Sequence, residues 1–246
     1  MELNNKNINI YQIGCGGNGS YLVSKIARMI ATKYKNISYT LVDKDKVEEK
    51  NLNRQNFISN DLGLYKAEVL SQRYSTVFDI EIKYINEFIN INNINQIIPK
   101  KNINTVTQNF YIIIGCVDNN KSRLIINNYL KQNFKEDEYI WIDVGNELNF
   151  GQIFINYNKY NMFDFIPNIN TNDKHPDELS CAEHLVSGEQ SLNINIMASL
   201  LTFNTLELIF MDKLYYFLID FNIFNNIKQY RNEDYEKFKN IYHGEK

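Results

Sequence analysis

Residues 8–19 read INIYQIGCGGNG, an apolar run that passes into a glycine-rich loop, and residues 18–33 continue with apolar side chains near helical spacing. A strand that enters a helix through glycines allows a tight turn and a close approach of backbone N–H groups to phosphate. A tight strand-to-helix turn without a ligand has the same pattern. The loop has no Lys-Ser or Lys-Thr ending, which excludes a P-loop. Four glycines fall within six positions: Gly14, Gly16, Gly17 and Gly19.

The first half of the chain alternates strand-like and helix-like segments around this loop. Residues 110–117 (FYIIIGCV) are a continuous apolar run, as expected for a strand buried on both faces. The alternation predicts a mostly parallel sheet with crossover helices. The predicted strands are 8–13, 37–42, 79–85, 110–117 and 139–144, and the predicted helices are 18–33, 61–78 and 120–134.

The second half has a different pattern. A strand at 151–157 is followed by a long polar loop at 158–180, a helix at 182–211 and an aromatic, strand-like stretch at 214–224. The last twenty or so residues are polar and are expected to be peripheral. We predict one α/β domain over 1–246, with a Rossmann-like mixed sheet that is parallel in its N-terminal half and has flanking helices. Its nucleotide-binding half covers about 1–150, and the crossover loop, long helix and C-terminal strands cover about 151–230.

Composition narrows the classes of partner. The 246 residues carry a net charge of −3 and a pI near 5.7, which gives no electrostatic case for nucleic acid. We expect no membrane partner and a cytoplasmic protein, because neither a membrane-spanning apolar run nor a signal peptide is evident. The three cysteines, Cys15, Cys116 and Cys181, are too widely spaced to indicate a zinc site or a disulfide framework.

An acid ends the second predicted strand. Asp43 stands where a carboxylate can accept hydrogen bonds from ribose hydroxyls, although Asp also caps turns frequently. Up to this point a nicotinamide dehydrogenase fits as well as an ATP-binding protein.

The residues beyond that strand favour triphosphate chemistry. Residues 43–57 read DKDKVEEKNLNRQNF and include Arg54, Lys66 follows, and Asp118 lies just beyond a later strand. Arg and Lys can neutralise phosphates, and Asp118 can hold Mg²⁺. Nicotinamide chemistry needs no such set.

The motifs in order resemble the ThiF/MoeB/HesA family, the bacterial relatives of ubiquitin-activating enzymes. They are GxGGxG, D-x-D-x-V-x-x-x-N-L-x-R-Q, a lysine and V-D-N-x-x-x-R, over about residues 8–155. The remainder resembles a narrower branch, the ThiF-like proteins of the PRTRC plasmid system. The residues behind that second likeness are DVGN at 143–146, GQ at 151–152, SC at 180–181 and QSLNIN at 190–195.

The resemblance implies roles for individual residues. The glycine loop and Asp43 would bind the adenosine, and Asp118 would hold Mg²⁺ for adenylation. Asp45 and Asn119, from the same motifs, join the nucleotide-binding set. The residues implied to contact the ATP phosphates are Asn51, Arg54, Gln55 and Lys66. The implied reaction joins AMP to the C-terminal glycine carboxylate of a small ubiquitin-like or sulfur-carrier protein and releases pyrophosphate, and the implied assembly is a homodimer.

The chain departs from the family in two ways. The family's CxxC zinc pairs are missing, and no arginine precedes Arg28 to reach the ATP of a partner subunit. Cys181 follows the long predicted loop, where related enzymes place a thioester or persulfide cysteine. A thiol at a helix start has more thiolate character, but cysteine is also commonly a small buried residue. His175 and His184 flank it.

Three hypotheses therefore stand. The first is an ATP-dependent adenylating enzyme with Arg54, Lys66 and Asp118 as its catalytic residues and Cys181 as a candidate thioester or persulfide cysteine. The second is a nucleotide-binding scaffold that has lost adenylation. The third is an NAD-dependent oxidoreductase.

Overall fold

The computed structural model describes residues 3, 5–100, 108–165 and 191–243, and these form one eight-stranded sheet with helices on both faces. The strands are β1 Asn7–Ile13, β2 Ile37–Val42, β3 Ile82–Ile85, β4 Asn109–Gly115, β5 Tyr139–Asn146, β6 Phe150–Asn156, β7 Tyr216–Asn222 and β8 Ile227–Arg231. The helices are α1 Gly17–Thr32, α2 Lys66–Phe78, α3 Ile94–Ile97, α4 Asn120–Asn133, α5 Leu192–Phe210 and α6 Tyr235–His243.

The strand order is β3-β2-β1-β4-β5-β6-β7-β8. The five strands from β3 to β5 are parallel, and β6, β7 and β8 join antiparallel. This confirms the predicted mixed sheet, parallel in its N-terminal half. The chain leaves β1 towards β2 on one side and returns as β4 on the other. Ligands of such sheets bind in the crevice beyond the carboxyl ends of the strands at this reversal.

The sheet separates two apolar layers. One contains α1, α2 and α5, and the other contains α3, α4 and α6. Strand β4 supplies Ile112 and Ile114 to the first layer and Tyr111 and Ile113 to the second. The unbroken apolar run at 110–117 therefore results from burial on both faces, as predicted.

Several predicted bounds were too generous. Helix α2 begins at Lys66 rather than at 61, because Gly63 adopts a φ of +80° in the turn before it. It ends at Phe78, because the next residue, Asp79, is left-handed with a φ of 52°, and β3 begins only at Ile82. Strand β4 ends at Gly115, two residues earlier than predicted.

The C-terminal residues lie at the edge of the sheet and are mostly exposed, but they form regular secondary structure. Residues 227–231 form strand β8 and residues 235–243 form helix α6. The ring of Tyr235 is fully buried and packs edge-on against Phe217 and Phe165. The predicted helix at 182–211 is present from Leu192, where the Ser191 hydroxyl accepts the N–H of Ile194 at 3.3 Å, and residues 182–190 lie outside the described residues. Of the predicted loop at 158–180, residues 158–165 are described, and Met162 and Phe165 are buried.

Contrary to the sequence expectation, helix α5 is long and apolar enough to cross a membrane by length and composition alone. Half of its apolar window is buried inside the protein, against the sheet and α1. Core helices of globular proteins meet the same criteria, so this is weak evidence for a membrane span.

Candidate functional site

A cavity of about 1310 Å³ lies beyond the carboxyl ends of the parallel strands, between the loops that follow β1, β2, β4 and β5. Eleven of the predicted site residues line it, and they come from four separate segments of the chain. They are Gly14, Gly16, Gly17, Asp43, Asp45, Asn51, Arg54, Gln55, Lys66, Asp118 and Asn119. Gly19 is not among the lining residues.

Glycine is required at Gly14 and Gly19 of the turn for different structural reasons. Gly14 has a φ of +99°, and a Cβ there would lie 2.4 Å from the carbonyl oxygen of Cys116. A Cβ on Gly19 would lie 2.3 Å from the carbonyl oxygen of Gly14. Gly14 therefore lets the loops after β1 and β4 touch, and Gly19 lets α1 pack directly on the turn. A Cβ on Gly16 would have ordinary clearance, 3.7 Å from the Gln55 amide nitrogen.

A buried glutamine holds the turn from below. The side-chain amide of Gln12, in β1, donates to the carbonyl oxygens of Gly14 at 3.1 Å and Gly19 at 3.0 Å. Its Oε1 accepts the hydroxyl of Tyr39 at 2.6 Å, and both side chains are buried. The path of the glycine turn is thus fixed by side-chain hydrogen bonds from within the sheet.

Asp43, Asp45 and Lys66 form a compact group that we call the inner cluster. The Asp43 carboxylate accepts the backbone N–H groups of Cys15 at 2.7 Å and Asp45 at 2.8 Å. Lys66 is buried and its ammonium contacts the Asp45 carboxylate at 2.9 Å. The inner cluster therefore ties the end of β2 to the glycine turn and to the start of α2.

Burial and charge act against each other in the inner cluster. Burial raises the pKa of Asp43 to about 6, although Lys66 and the two backbone donors oppose the shift. Burial disfavours the Lys66 ammonium, but Asp43 and Asp45 outweigh it, and the pKa of Lys66 is raised. Lys66 is therefore a stable cation at the cavity wall.

The segment at 51–55 is held in place from both ends. The Asn51 side chain accepts the backbone N–H of Glu48 at 2.8 Å, and the Asn51 carbonyl accepts the N–H of Gln55 at 2.8 Å. The Gln55 Oε1 atom is buried and has no hydrogen-bond partner among the described residues. A buried acceptor without a partner at a cavity wall is a natural position for a ligand donor group.

The loop after β4 carries Asp118 and is clamped by Arg123. The Arg123 guanidinium donates to the Asp143 carboxylate at 2.9 Å, to the Val117 carbonyl at 2.7 Å and to the Asn120 side chain at 3.2 Å. Burial raises the pKa of Asp143, and Arg123 opposes that shift. Asn119 caps α4, since its Oδ1 accepts the N–H of Ser122 at 2.8 Å.

Arg54 and Asp118, which we call the outer residues, differ from the three ion pairs at the cavity. Of the four cations that line it, Lys50 pairs with Glu48, Lys66 with Asp45 and Arg123 with Asp143. No ion pair joins the Arg54 guanidinium to a carboxylate in the described part of the chain. Asp118 is exposed and accepts the Asn119 side chain at 3.4 Å. The outer residues are where an incoming charged ligand meets uncompensated charge.

A magnesium ion would have few protein ligands here. Across 3, 5–100, 108–165 and 191–243, no group of three or more acidic, histidine or cysteine side chains could hold a metal. Mg²⁺ in nucleotide sites is usually held by one or two carboxylates together with substrate phosphates and water. The exposed Asp118 carboxylate at the cavity wall fits that manner of binding.

The cysteines divide into two groups. Cys181, with His175 and His184, lies outside the described residues, and its proposed thioester or persulfide role stays a prediction. Cys15 and Cys116 lie beside the turn, and burial raises the pKa of both thiols well above the usual range. Their thiolate content is therefore very low, which agrees with a packing role.

Sequence reasoning missed the residues that support the site. Gln12 stands between Tyr11 and Ile13 in β1, and a polar residue at a buried strand position was the available signal. The hydrogen bond of Tyr39 joins residues distant in sequence and left no local signal. Asn195 ends the QSLNIN motif, but nothing in that motif indicates that its amide donates to the Arg54 carbonyl at 3.1 Å.

The fold and the cavity together define an α/β protein with a glycine turn after its first strand and an open site at the carboxyl ends of its parallel strands. The particular family follows from sequence: residues 3–240 match the ThiF family, and the chain belongs to it. No curated protein matches.

Solved structures share the fold. A structure of E. coli MccB with ATP has a TM-score of 0.66 and 17% identity, and the alignment covers 93% of this chain and 65% of that one. A selenomethionine form of PaaA has a TM-score of 0.65 and 15% identity, covering 93% and 65%. E. coli MccB with AMPCPP and MccA has a TM-score of 0.63 and 18% identity, covering 93% and 64%. The chain thus spans slightly less than two thirds of the length of these relatives.

Proposed function

We propose that the protein uses ATP to adenylate the C-terminal carboxylate of a peptide or small protein and releases pyrophosphate. The observation that carries this proposal is the convergence of Arg54, Lys66 and Asp118 with a glycine turn on one cavity. Membership of the ThiF family favours ATP over a nicotinamide cofactor. The solved structure of MccB with ATP supports the same cofactor.

Each part of the cavity has a task in this reaction. Asp43 accepts hydrogen bonds from the ribose, and the turn at Gly14–Gly17 brings backbone N–H groups to the phosphates. Gln55, with its buried Oε1 atom, accepts a donor group of the nucleotide. Arg54 and Lys66 neutralise the phosphates and stabilise the charge that develops on the departing pyrophosphate. Asp118 would hold Mg²⁺, which supplies further charge neutralisation at the phosphates.

The carboxylate of the peptide attacks the α-phosphorus of ATP directly. The protein must therefore position this carboxylate and does not need to supply a nucleophile of its own. A shallower depression of about 530 Å³ adjoins the cavity and shares Phe150, Gly151 and Gln152 with it. A peptide terminus can lie along that surface and enter the cavity past Gly151. The presence of MccA in solved MccB complexes supports a peptide partner. Within this class we favour a ubiquitin-like or sulfur-carrier protein that ends in glycine.

The proposed assembly is a homodimer. The apolar residues of helix α5 are not confined to its buried face, and Leu192, Ile196 and Leu200 form an exposed stripe at four-residue spacing. Exposed stripes of this kind are typical of contacts with another protein surface. A second copy of the chain is the partner that the family suggests.

The reaction is tested by ATP–pyrophosphate exchange. The candidate substrates in the assay are the protein encoded by a short neighbouring reading frame that ends in glycine, and synthetic peptides with the C-terminal sequence of that protein. Each peptide is used in a free-acid form and in an amidated form. We expect exchange with the free acids alone, and a loss of about 100-fold or more in Asp118→Ala. Asp137→Ala removes an exposed carboxylate away from the cavity and is the matched control.

Two results would reject the enzyme. One is equal exchange with amidated peptides, and the other is full exchange by Asp118→Ala. ATP binding without exchange for the neighbouring protein would instead support a nucleotide-binding scaffold.

A further inference from the structure

Three asparagine side chains form a continuous line of hydrogen bonds, and two of them, Asn18 and Asn146, line the cavity. The Asn18 amide donates to the Asn146 Oδ1 at 3.0 Å, and the Asn146 amide donates to the Asn195 Oδ1 at 2.8 Å. The Asn195 amide then donates to the backbone carbonyl of Arg54 at 3.1 Å. The line joins the first turn of α1, the end of β5, the start of α5 and the segment that follows Asn51.

The direction of this amide line is fixed by its last member. A backbone carbonyl can only accept, so Asn195 must turn its NH₂ group towards Arg54. Its oxygen then faces Asn146, whose own oxygen in turn faces Asn18. Asn195 is fully buried and Asn18 is almost so. Asparagine suits these positions because one neutral side chain can donate and accept at once.

Stability of the fold alone does not require these amides. Helix α5 is already anchored by the buried side chains of Ile194, Ala198 and Leu206, and β5 is held by strands on both sides. Burying amides costs desolvation that apolar residues of similar size would avoid. The line instead ends on the backbone of Arg54, the cation at the cavity with no ion pair among the described residues.

We propose that Asn146 and Asn195 are positioning residues that hold the backbone of Arg54 so that its guanidinium meets the polyphosphate of the nucleotide. This inference rests on the proposed function for its ligand, and it concerns ATP binding rather than adenylation. It predicts a defect that depends on the phosphates of the ligand and on the presence of Arg54.

The test compares the dissociation constants of ATP and adenosine by calorimetry, with folding checked by thermal melting. Asn195→Ala should weaken ATP about tenfold and adenosine by less than about twofold. Asn127→Ala is the matched control, because Asn127 is also buried and accepts the Asn161 amide at 2.9 Å instead of contacting the backbone of Arg54. It should change neither constant by more than about twofold.

A double-mutant cycle separates positioning from a general structural effect. In an Arg54→Ala background, Asn195→Ala should cost less than about twofold in ATP affinity, because the group that it positions is gone. If Asn195→Ala does not fold, Asn146→Ala breaks the same line at a half-buried position and takes its place in the cycle.

Equal weakening of ATP and adenosine, or an Asn195→Ala effect that persists without Arg54, would overturn the inference. Wild-type protein that binds ATP but does not exchange pyrophosphate would reject adenylation and leave this test valid. Wild-type protein that does not bind ATP would reject both.

Discussion

The inner cluster and the outer residues both place charged side chains at the cavity, but only the inner cluster contains an ion pair among the described residues. Asp43, Asp45 and Lys66 compensate one another through an ion pair and backbone hydrogen bonds, so their geometry is complete before a ligand arrives. Arg54 and Asp118 have no such compensation among the described residues. The difference indicates that the inner cluster shapes the site, and that the outer residues supply the charge to which a ligand responds. Mutations in the two groups should therefore act on different measurements.

The glycine turn at Gly14–Gly17 must be rigid if the inner cluster and the outer residues are to keep their separate positions. Gly14→Ala forces a Cβ to within 2.4 Å of the Cys116 carbonyl oxygen at a φ of +99° and should lower the free energy of unfolding by about 3 kcal/mol or more. Gly63→Ala is the control, since Gly63 has a φ of +80° but open space around its Cβ position, and should cost about 1 kcal/mol. Urea denaturation measures both, and equal losses would mean that the contact with Cys116 is unimportant.

The second prediction concerns the outer residues. Arg54→Ala should raise the KM for ATP about 10- to 100-fold, because a cation without a carboxylate partner is lost from the phosphate side of the cavity. The melting temperature should change little, since no ion pair is broken. Lys50→Ala removes a cation that Glu48 already compensates at 2.7 Å, and its effect on KM should be less than about threefold. Similar effects of the two variants would erase the distinction between compensated and uncompensated charge.

The inner cluster should respond to pH through stability. The folded-state pKa of Asp43 is raised to about 6, so between pH 4 and pH 6 the native state binds more protons than the unfolded state. The contribution of Asp43 to stability therefore falls as pH rises through this window. The free energy of unfolding of Asp43→Asn minus that of wild type should be about 1–3 kcal/mol larger at pH 7.5 than at pH 4.5. Urea denaturation at both pH values measures the difference, and a pH-independent difference would contradict the assignment.

The smallest effect comes from the support beneath the turn. Tyr39→Phe leaves the buried Gln12 Oε1 without its donor and should cost about 1–2 kcal/mol of stability. Tyr216→Phe removes an equally buried hydroxyl, 3.0 Å from Thr205 and far from the turn, at a similar cost. Only Tyr39→Phe should also weaken ATP binding, by a few-fold, in a fluorescence titration. Weaker binding in both variants would point to general destabilisation.

The sequence predicted the parallel half of the fold better than the antiparallel half. The runs in β1, β2 and β4 are apolar because both faces are covered, so each strand identifies itself locally. Strand β8 is an edge strand with mostly polar, exposed residues, and α6 is short. Both are stabilised by packing of Tyr235 and Phe238 on Phe217, a contact between distant segments that no local pattern encodes.

The candidate site divides in the same way. The motifs identified eleven residues that line one cavity, because the loops after parallel strands meet at one edge of the sheet. Spacing alone could not separate Asn51 and Asn119, whose side chains cap their own turns, from Gln55, whose buried oxygen has no partner in the part of the chain that the structure describes. That distinction requires knowledge of where each hydrogen bond goes.

Helices α1 and α4 both begin at the cavity, directly after the loops of β1 and β4 that Gly14 brings into contact. Their dipoles therefore add at one place and attract anions within a chain whose net charge is −3. Backbone amides do not titrate near neutral pH and have no side chain to replace. A scan of substitutions or of pH will consequently measure only the part of anion recognition that the side chains provide, and the backbone part will persist as a floor that no single variant removes.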